Sequence, residues 1–270
     1  MKVRPSLKAR LPHQLMLLAA LACARPALAE LPARPIAAVE TAVAADKLVV
    51  ASGAYQRWQS ALSAFSKADR ERQPVSDAVL FVGSSTIRLW SNLSDDFRQV
   101  PVIINRGFGG STMADCNSLV RELVTQYKPR QVLVYAGDND LAEGRSPEEV
   151  LKSFSDFVRS VRSELPVTRI AYISIKPSPL RASLMPAARK TNALISAFIR
   201  TQPEFISYID VFNPMLNEQG QPRAELFLGD RLHMNAAGYQ LWQSVIVSHL
   251  PAPQALLLPA PQLVASPLRR

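Results

Sequence analysis

From about residue 78 to residue 250 the chain alternates short, nearly continuous apolar runs with longer stretches whose apolar positions recur every three or four residues. The short runs, near 78–83, 101–105, 131–136, 168–175 and 206–211, predict strands buried on both faces. Helical spacing marks 55–71, 113–127, 147–163, 185–201 and 236–249. The third of these helices carries the fullest signature. Ser146 stands at the N-cap, Pro147 in the first turn and Glu149 where a capping box closes, ahead of Val150, Phe154, Phe157, Val158 and Val161 on one face. Strand and helix in alternation predict an α/β domain with a parallel sheet covered on both sides. Outside 54–250 the pattern lapses. Residues 30–53 are rich in Ala and Pro and read as a loosely ordered leader, and 251–270 carry prolines too frequent for a helix or a central strand, so they read as a disordered tail. No internal repeat is visible.

Length and composition sharpen this to one domain: 270 residues at 48% hydrophobic are enough for one sizeable core. The formal charge of +9 first suggests a nucleic-acid or membrane partner. Its distribution argues otherwise. Lys2, Arg4, Lys8, Arg10 and Arg25 all lie within residues 1–29, a stretch without acids; without them 26 Lys and Arg face 22 Asp and Glu, an excess of +4. No nucleic-acid partner is expected. The five charges fit an export signal over 1–29: a basic start, an apolar stretch from Leu15 to Ala24 too short to span a bilayer, and Ala27-Leu28-Ala29 at signal-peptidase spacing. The mature chain is then expected to begin at Glu30, exported to the periplasm or secreted, with no transmembrane span. Lipidation of Cys23 is the weaker reading, because Ala20-Leu21-Ala22 matches the usual lipoprotein pattern poorly. Removal of Cys23 leaves Cys116 alone and excludes an internal disulfide.

In an open parallel sheet, ligands bind beyond the carboxyl ends of the strands. Three clusters fall there: Gly83-Ser84-Ser85, then Asn105-Arg106-Gly107-Phe108-Gly109-Gly110-Ser111, then Gly137-Asp138-Asn139-Asp140. Singly, each has a structural reading as helix cap, turn glycine or self-satisfied loop. Histidine changes the balance. His249 reads as structural at the end of the last helix, where the dipole favours it. His233 lies in Gly229-Asp230-Arg231-Leu232-His233-Met234-Asn235, ahead of a helix that Asn235 can cap. Asp230 is near enough in sequence to accept its Nδ1 proton and leave Nε2 free, the arrangement a serine base requires. An Asp and His satisfying loop backbone is the alternative.

These four clusters, in this order, resemble the SGNH (GDSL-type) esterase and lipase superfamily, including the bacterial relatives of platelet-activating-factor acetylhydrolase. The likeness covers about 75–250. It implies a three-layer α/β/α sandwich around a five-stranded parallel sheet of flavodoxin-like order 2-1-3-4-5. It also implies that Ser85, and not Ser84, is the nucleophile, that the oxyanion is held by the backbone of Ser85 and Gly110 with the Asn139 side chain, and that Asp230 and His233 complete the catalytic set. Ser84 stands where the family carries aspartate, and a further feature that some members show between strands four and five is not discernible. Neither departure removes a reacting group.

The implied reaction is acyl transfer. His233 takes the proton of Ser85 as the hydroxyl attacks an ester carbonyl, and water later hydrolyses the acyl-enzyme, so activity is expected to rise as His233 loses its proton. No cofactor and no metal is called for, since the chain offers no His/Cys cluster. The partner is a small ester: an acetylated sugar, a lysophospholipid or a short acyl ester or thioester. Lys176 and Arg181, in the loop after strand four, could approach the crevice and favour an anionic substrate; a stiff proline loop with solvated charges is the plainer reading. Asp138 and Asp140 are expected to fix their loop, and Trp58, Trp90 and Trp242 to serve packing. Two other functions compete. A nucleotide loop at Gly107–Gly110 lacks the third small residue, since Thr112 stands there, and leaves Asp230 and His233 unexplained. A catalytically silent module binding cell-wall or exported glycans would have no need of the intact reacting groups.

Overall fold

The computed structural model describes residues 36–74, 76–202 and 204–251. The expected signal over 1–29, Cys23 within it and nearly all of the expected tail lie outside these residues. The chain divides into two compact units, 1–43 and 44–270. Apart from the start of the first helix, everything below concerns the second.

Five strands form one parallel sheet in the order β2-β1-β3-β4-β5: β1 (Val79–Gly83), β2 (Ile103–Gly107), β3 (Gln131–Tyr135), β4 (Arg169–Ile173) and β5 (Ile206–Ile209). The helices are α1 (Ile36–Glu71), α2 (Ser85–Arg88), α3 (Leu93–Asp96), α4 (Met113–Ser118), α5 (Val120–Leu123), α6 (Asp138–Ala142), α7 (Pro147–Glu164), α8 (Met185–Arg200) and α9 (Ala236–Ile246). Successive strand residues feed two cores. Leu80, Val82, Val132, Val134, Ile170 and Tyr172 pack with Leu62 of α1, Met113 of α4, Phe154 and Phe157 of α7 and Ile195 of α8. Val79, Phe81, Leu133, Tyr135, Ala171 and Ile173 pack with Ile87 of α2, Leu93 of α3 and Trp242 of α9. The period of two therefore sorts the strands into a three-layer α/β/α sandwich, as the alternation and the resemblance imply.

The predicted elements recur, with instructive differences at their ends. Ser146 caps α7 in a full capping box with Glu149, and the five apolar residues named above are all buried. Asn235 caps α9 through Gly238 N, 3.2 Å away. The helix predicted over 113–127 is broken into α4, α5 and a 3-10 turn at 125–127. Asn117 and Ser118 at the break are weak helix formers, and Asn117 spends its side chain on Ser160 of α7 at 2.9 Å. The last helix tightens to 3-10 geometry at 247–249. α1 reaches back to Ile36, into the segment read as leader, where alanine richness also suits a helix. Trp90 and Trp242 are buried, Trp242 with its ring 5.0 Å from Tyr135, while half-buried Trp58 packs edge-on against Phe108 at 5.0 Å.

Edge strand β2 is closed against α1 by Arg106, which is buried, pairs with Asp69, donates Nε to Tyr127 Oη at 2.9 Å and stacks on the Tyr127 ring at 4.4 Å. At their carboxyl ends the strands finish level, Gly83 lying between Gly107 of β2 and Tyr135 of β3. Here two glycines make the local geometry. A Cβ on Gly83, whose φ is +142°, would fall 1.8 Å from the Tyr135 carbonyl oxygen, and one on Gly107 would fall 2.2 Å from the Arg88 amide nitrogen. The first lets β1 turn sharply into α2 and the second lets α2 settle against β2. Gly83→Ala is expected to destabilise the domain by about 3 kcal/mol in urea unfolding, through overpacking and backbone strain combined.

Candidate active site

Ser85 is the first residue of α2, half-buried just beyond the carboxyl end of β1. The turn is fixed by backbone on both sides: Ser84 N donates to Tyr135 O at 3.1 Å and Phe108 N to Gly83 O at 2.8 Å. Thr86 O accepts from Tyr239 Oη of α9 at 2.9 Å, which brings the start of the last helix beside α2.

His233 arrives from that direction on a short hairpin. Phe227 and Met234 form an antiparallel bridge, Leu228 N donates to His233 O at 2.8 Å and Arg231 turns the chain with φ +60°. Asn235 pins the hairpin base, donating Nδ2 to Glu225 O at 2.8 Å. Asp230 curls back over the loop: its Oδ1 accepts from Leu232 N and His233 N, each at 2.9 Å, and its Oδ2 lies 2.6 Å from His233 Nδ1. The His233 ring, with help from the two backbone amides, pushes the Asp230 carboxyl down to about 2. A carboxylate only accepts, so Nδ1 is assigned the proton, and in the neutral ring that leaves the lone pair on Nε2. Nε2 lies 2.9 Å from Ser85 Oγ. A hydroxyl, an acceptor nitrogen and an orienting carboxylate are thus linked in series, the arrangement by which a serine is activated for attack.

Gly110 stands exposed in the turn after β2, and Asn139 half-buried in α6 directly after β3. Both adjoin β1, so residues 85, 110 and 139 share one rim of the sheet. Asn139 Nδ2 donates to Ser111 O at 2.9 Å, which ties these two loops together. His249 is at the other end of the sheet, its carbonyl accepting from Gln131 at the start of β3 at 2.9 Å, and takes no part in the site.

Lys176 and Arg181 are not the solvated charges of the plainer reading, because both are drawn into contacts at this rim. The Lys176 side chain is 1% exposed, and its Nζ donates to Thr86 Oγ1 and Tyr135 Oη, each at 3.1 Å, and to Asp138 Oδ2 at 3.4 Å. Burial lowers its pKa against the opposing pull of Asp138. Arg181, 20% exposed, pairs Nη1 with Asp138 Oδ2 at 3.2 Å and donates Nη2 to Asn139 Oδ1 at 3.0 Å. The loops after neighbouring strands β3 and β4 therefore meet through charge. Opposite signs at the ends of adjacent strands were a readable signal for this pairing. The partnership of Thr86 and Tyr135 with Lys176 had none, because it depends on burial.

Asp138 and Asp140 fix their loop as expected. Asp138 Oδ1 accepts from Asn139 N at 3.0 Å, and Asp140 accepts from Met113 N at 2.9 Å, anchoring α4. Thr112 caps that helix in a capping box with Asp115. Cys116 is fully buried nearby, its thiol pushed well up by burial and by the charges of Asp140 and Asp115. Among the described residues no group of three or more His, Cys, Asp or Glu could hold a metal ion, and no helix is long and apolar enough to cross a membrane.

With the geometry in place, comparison with known proteins gives a consistent picture. The family model of the GDSL-like lipase/acylhydrolase family matches residues 81–241. No curated protein matches the chain. Among solved structures, one from Streptococcus pneumonia described as a platelet activating factor is 21% identical, with a TM-score of 0.61 over 77% of this chain and 98% of that one. A GDSL-like lipase from Bacteroides thetaiotaomicron is 22% identical, with a TM-score of 0.58 over 72% and 96%. A mutant of an acetyl-xylooligosaccharide esterase from Geobacillus Stearmophilus is 16% identical, with a TM-score of 0.52 over 65% and 95%. At these identities the likeness is one of fold.

Burial raises the Asp140 carboxyl from 3.8 to about 6. The folded protein therefore binds a proton there that the unfolded chain has released, and stability falls as pH rises through about 4 to 6. Asp140→Asn keeps an oxygen for Met113 N and removes the titration. Measured by urea unfolding, the variant should gain on the wild type as pH rises across that window and run parallel to it above.

Proposed function

The chain belongs to the GDSL-like lipase/acylhydrolase family and is a serine ester hydrolase, and from that premise we propose that it cleaves small acyl or acetyl esters through an acyl-enzyme on Ser85. The observation that carries this reading is the continuous chain from Ser85 Oγ to His233 Nε2 at 2.9 Å and from His233 Nδ1 to Asp230 at 2.6 Å. His233 removes the Ser85 proton as Oγ attacks the carbonyl carbon. The imidazolium so formed is stabilised by Asp230 and returns the proton to the departing alcohol. Water then enters, loses a proton to His233 and releases the acid, restoring Ser85.

Negative charge builds on the carbonyl oxygen in both steps. The donors proposed for it are the backbone N–H groups of Ser85 and Gly110 and the amide of Asn139, which the loops after β1, β2 and β3 carry to one rim. The esterase and lipase among the structural neighbours support a small ester as the substrate. Acetylated carbohydrates, lysophospholipids and short-chain esters all meet that description. The basic, apolar and small-residue order of residues 1–29 supports an exported enzyme acting outside the cytoplasm.

A fluorophosphonate should modify Ser85 in the purified protein, read by peptide mass spectrometry, and Ser85→Ala should abolish both labelling and hydrolysis of nitrophenyl acetate. An unlabelled, inactive protein would instead favour a silent glycan-binding module. Asn139→Ala should lower kcat about 10²- to 10³-fold, the usual loss for one oxyanion donor, with a much smaller effect on KM.

A further inference from the structure

We propose that Arg181 is a positioning residue that sets which end of the Asn139 amide faces the reacting carbonyl, and that Asp138 and Lys176 are the buried frame that holds it. The inference rests on the esterase reading above and adds a device to it. Its starting point is the ambiguity of a carboxamide: Asn139 presents a donor at one end and an acceptor at the other, and a half-turn about χ2 exchanges them. Only the donor end can stabilise an oxyanion. The acceptor end would repel it.

The surroundings of Asn139 remove the ambiguity. Arg181 Nη2 donates to Oδ1 at 3.0 Å, and a guanidinium has no lone pair to offer an amide N–H. On the other side Nδ2 donates to the Ser111 carbonyl at 2.9 Å. Turned round, the amide would set N–H against guanidinium and carbonyl against carbonyl, two repulsive contacts in place of two attractive ones. One hydrogen on Nδ2 is used by Ser111, and the other has no acceptor among the described residues. That hydrogen is the one available to substrate. A charge-assisted bond to Oδ1 also draws electron density from the amide, so it strengthens the same donor.

Arg181 needs an anchor of its own, since a long side chain on a loop would otherwise sample many rotamers. Asp138 supplies it through Oδ2 at 3.2 Å, while Asp138 Oδ1 accepts from Asn139 N at 3.0 Å. The three residues thereby close a ring: carboxylate to guanidinium, guanidinium to amide side chain, amide backbone to carboxylate. Lys176 adds a second positive charge to Asp138 at 3.4 Å and extends the ring to Thr86 Oγ1 at 3.1 Å, one residue beyond the nucleophile. The oxyanion donor and the start of α2 are thus held in one frame, which is mostly shut off from water. A frame of this kind keeps the donor aimed before substrate arrives.

The test is a double-substitution cycle on nitrophenyl acetate hydrolysis with Arg181→Ala, Asn139→Ala and their combination, each variant checked for folding by circular dichroism. Arg181→Ala should lower kcat about tenfold with KM changed less than about threefold, a smaller loss than that of Asn139→Ala because the donor survives but is no longer held. The combined variant should be no slower than Asn139→Ala alone, since with the amide gone Arg181 has nothing to aim. Millimolar ethylguanidinium should restore part of the kcat of Arg181→Ala and none of the kcat of the combined variant. Should Arg181→Ala fail to fold, Arg181→Lys takes its place in the cycle: a point charge cannot bridge Asp138 and Asn139 at once, so kcat should fall in the wild-type background and not in the Asn139→Ala background. Additive losses, or a rise in KM at unchanged kcat, would overturn the role and make Arg181 a scaffold or a direct substrate contact. A wild-type protein inactive on esters and unlabelled at Ser85 would overturn the esterase reading itself, whereas an active wild type with additive losses overturns only this role.

Discussion

The site depends on a contact between two backbones. At the end of β1 the chain passes so near the Tyr135 carbonyl of β3 that no side chain fits at residue 83. Glycine there allows the turn that ends the strand, begins α2 at Ser85 and brings Thr86 within reach of a lysine from β4's loop. Everything polar at this rim is placed relative to that turn. The level ends of β1, β2 and β3 then bring the Gly110 and Asn139 loops alongside without any long connection. The parallel sheet supplies the coarse placement, and the missing Cβ supplies the last few ångströms.

Burying two cations and one carboxylate beside a reacting centre is costly unless each is paired and hydrogen-bonded. Lys176, Arg181 and Asp138 are paired with one another, and Thr86, Tyr135 and Asn139 accept from the two cations. The cluster is charged, yet most of its charge is turned inward, Lys176 and Asp138 being buried and Arg181 only partly exposed. Positive charge close to a forming oxyanion is useful in itself, and here it acts through an amide and not by direct contact.

Much of this fold was legible in the sequence, for reasons that can be named. Strand interiors such as Val79–Val82 and Val132–Tyr135 are apolar on both faces, which only a sheet covered on both sides accommodates. The α7 boundary is written in Ser146, Pro147 and Glu149. The clusters at residues 83–85, 105–111, 137–140 and 230–233 were also visible, because the residue types that do chemistry are few and their order along the chain is distinctive. What the sequence concealed was burial. Lys176 and Arg181 sit in Ile175-Lys176-Pro177-Ser178-Pro179-Leu180-Arg181, a composition that reads as an exposed loop, and their partners lie 38 to 90 residues away in the chain. The short helix α6 was hidden for a related reason: its stability comes from Asp138 and Asp140 bonding across to other segments, not from helical periodicity.

The two halves of the site rest on unequal foundations. Ser85, Asn139 and their frame are set into the sheet, whereas Asp230 is 47% exposed and reaches His233 across a hairpin at the surface. Local opening follows the weakest packing, so the exposed turn over 228–233 can fray while Leu226, Phe227 and Met234 at its base stay in the second core. The nucleophile and its hole would then remain assembled but without a base. Warming is then expected to loosen the base before the sandwich melts.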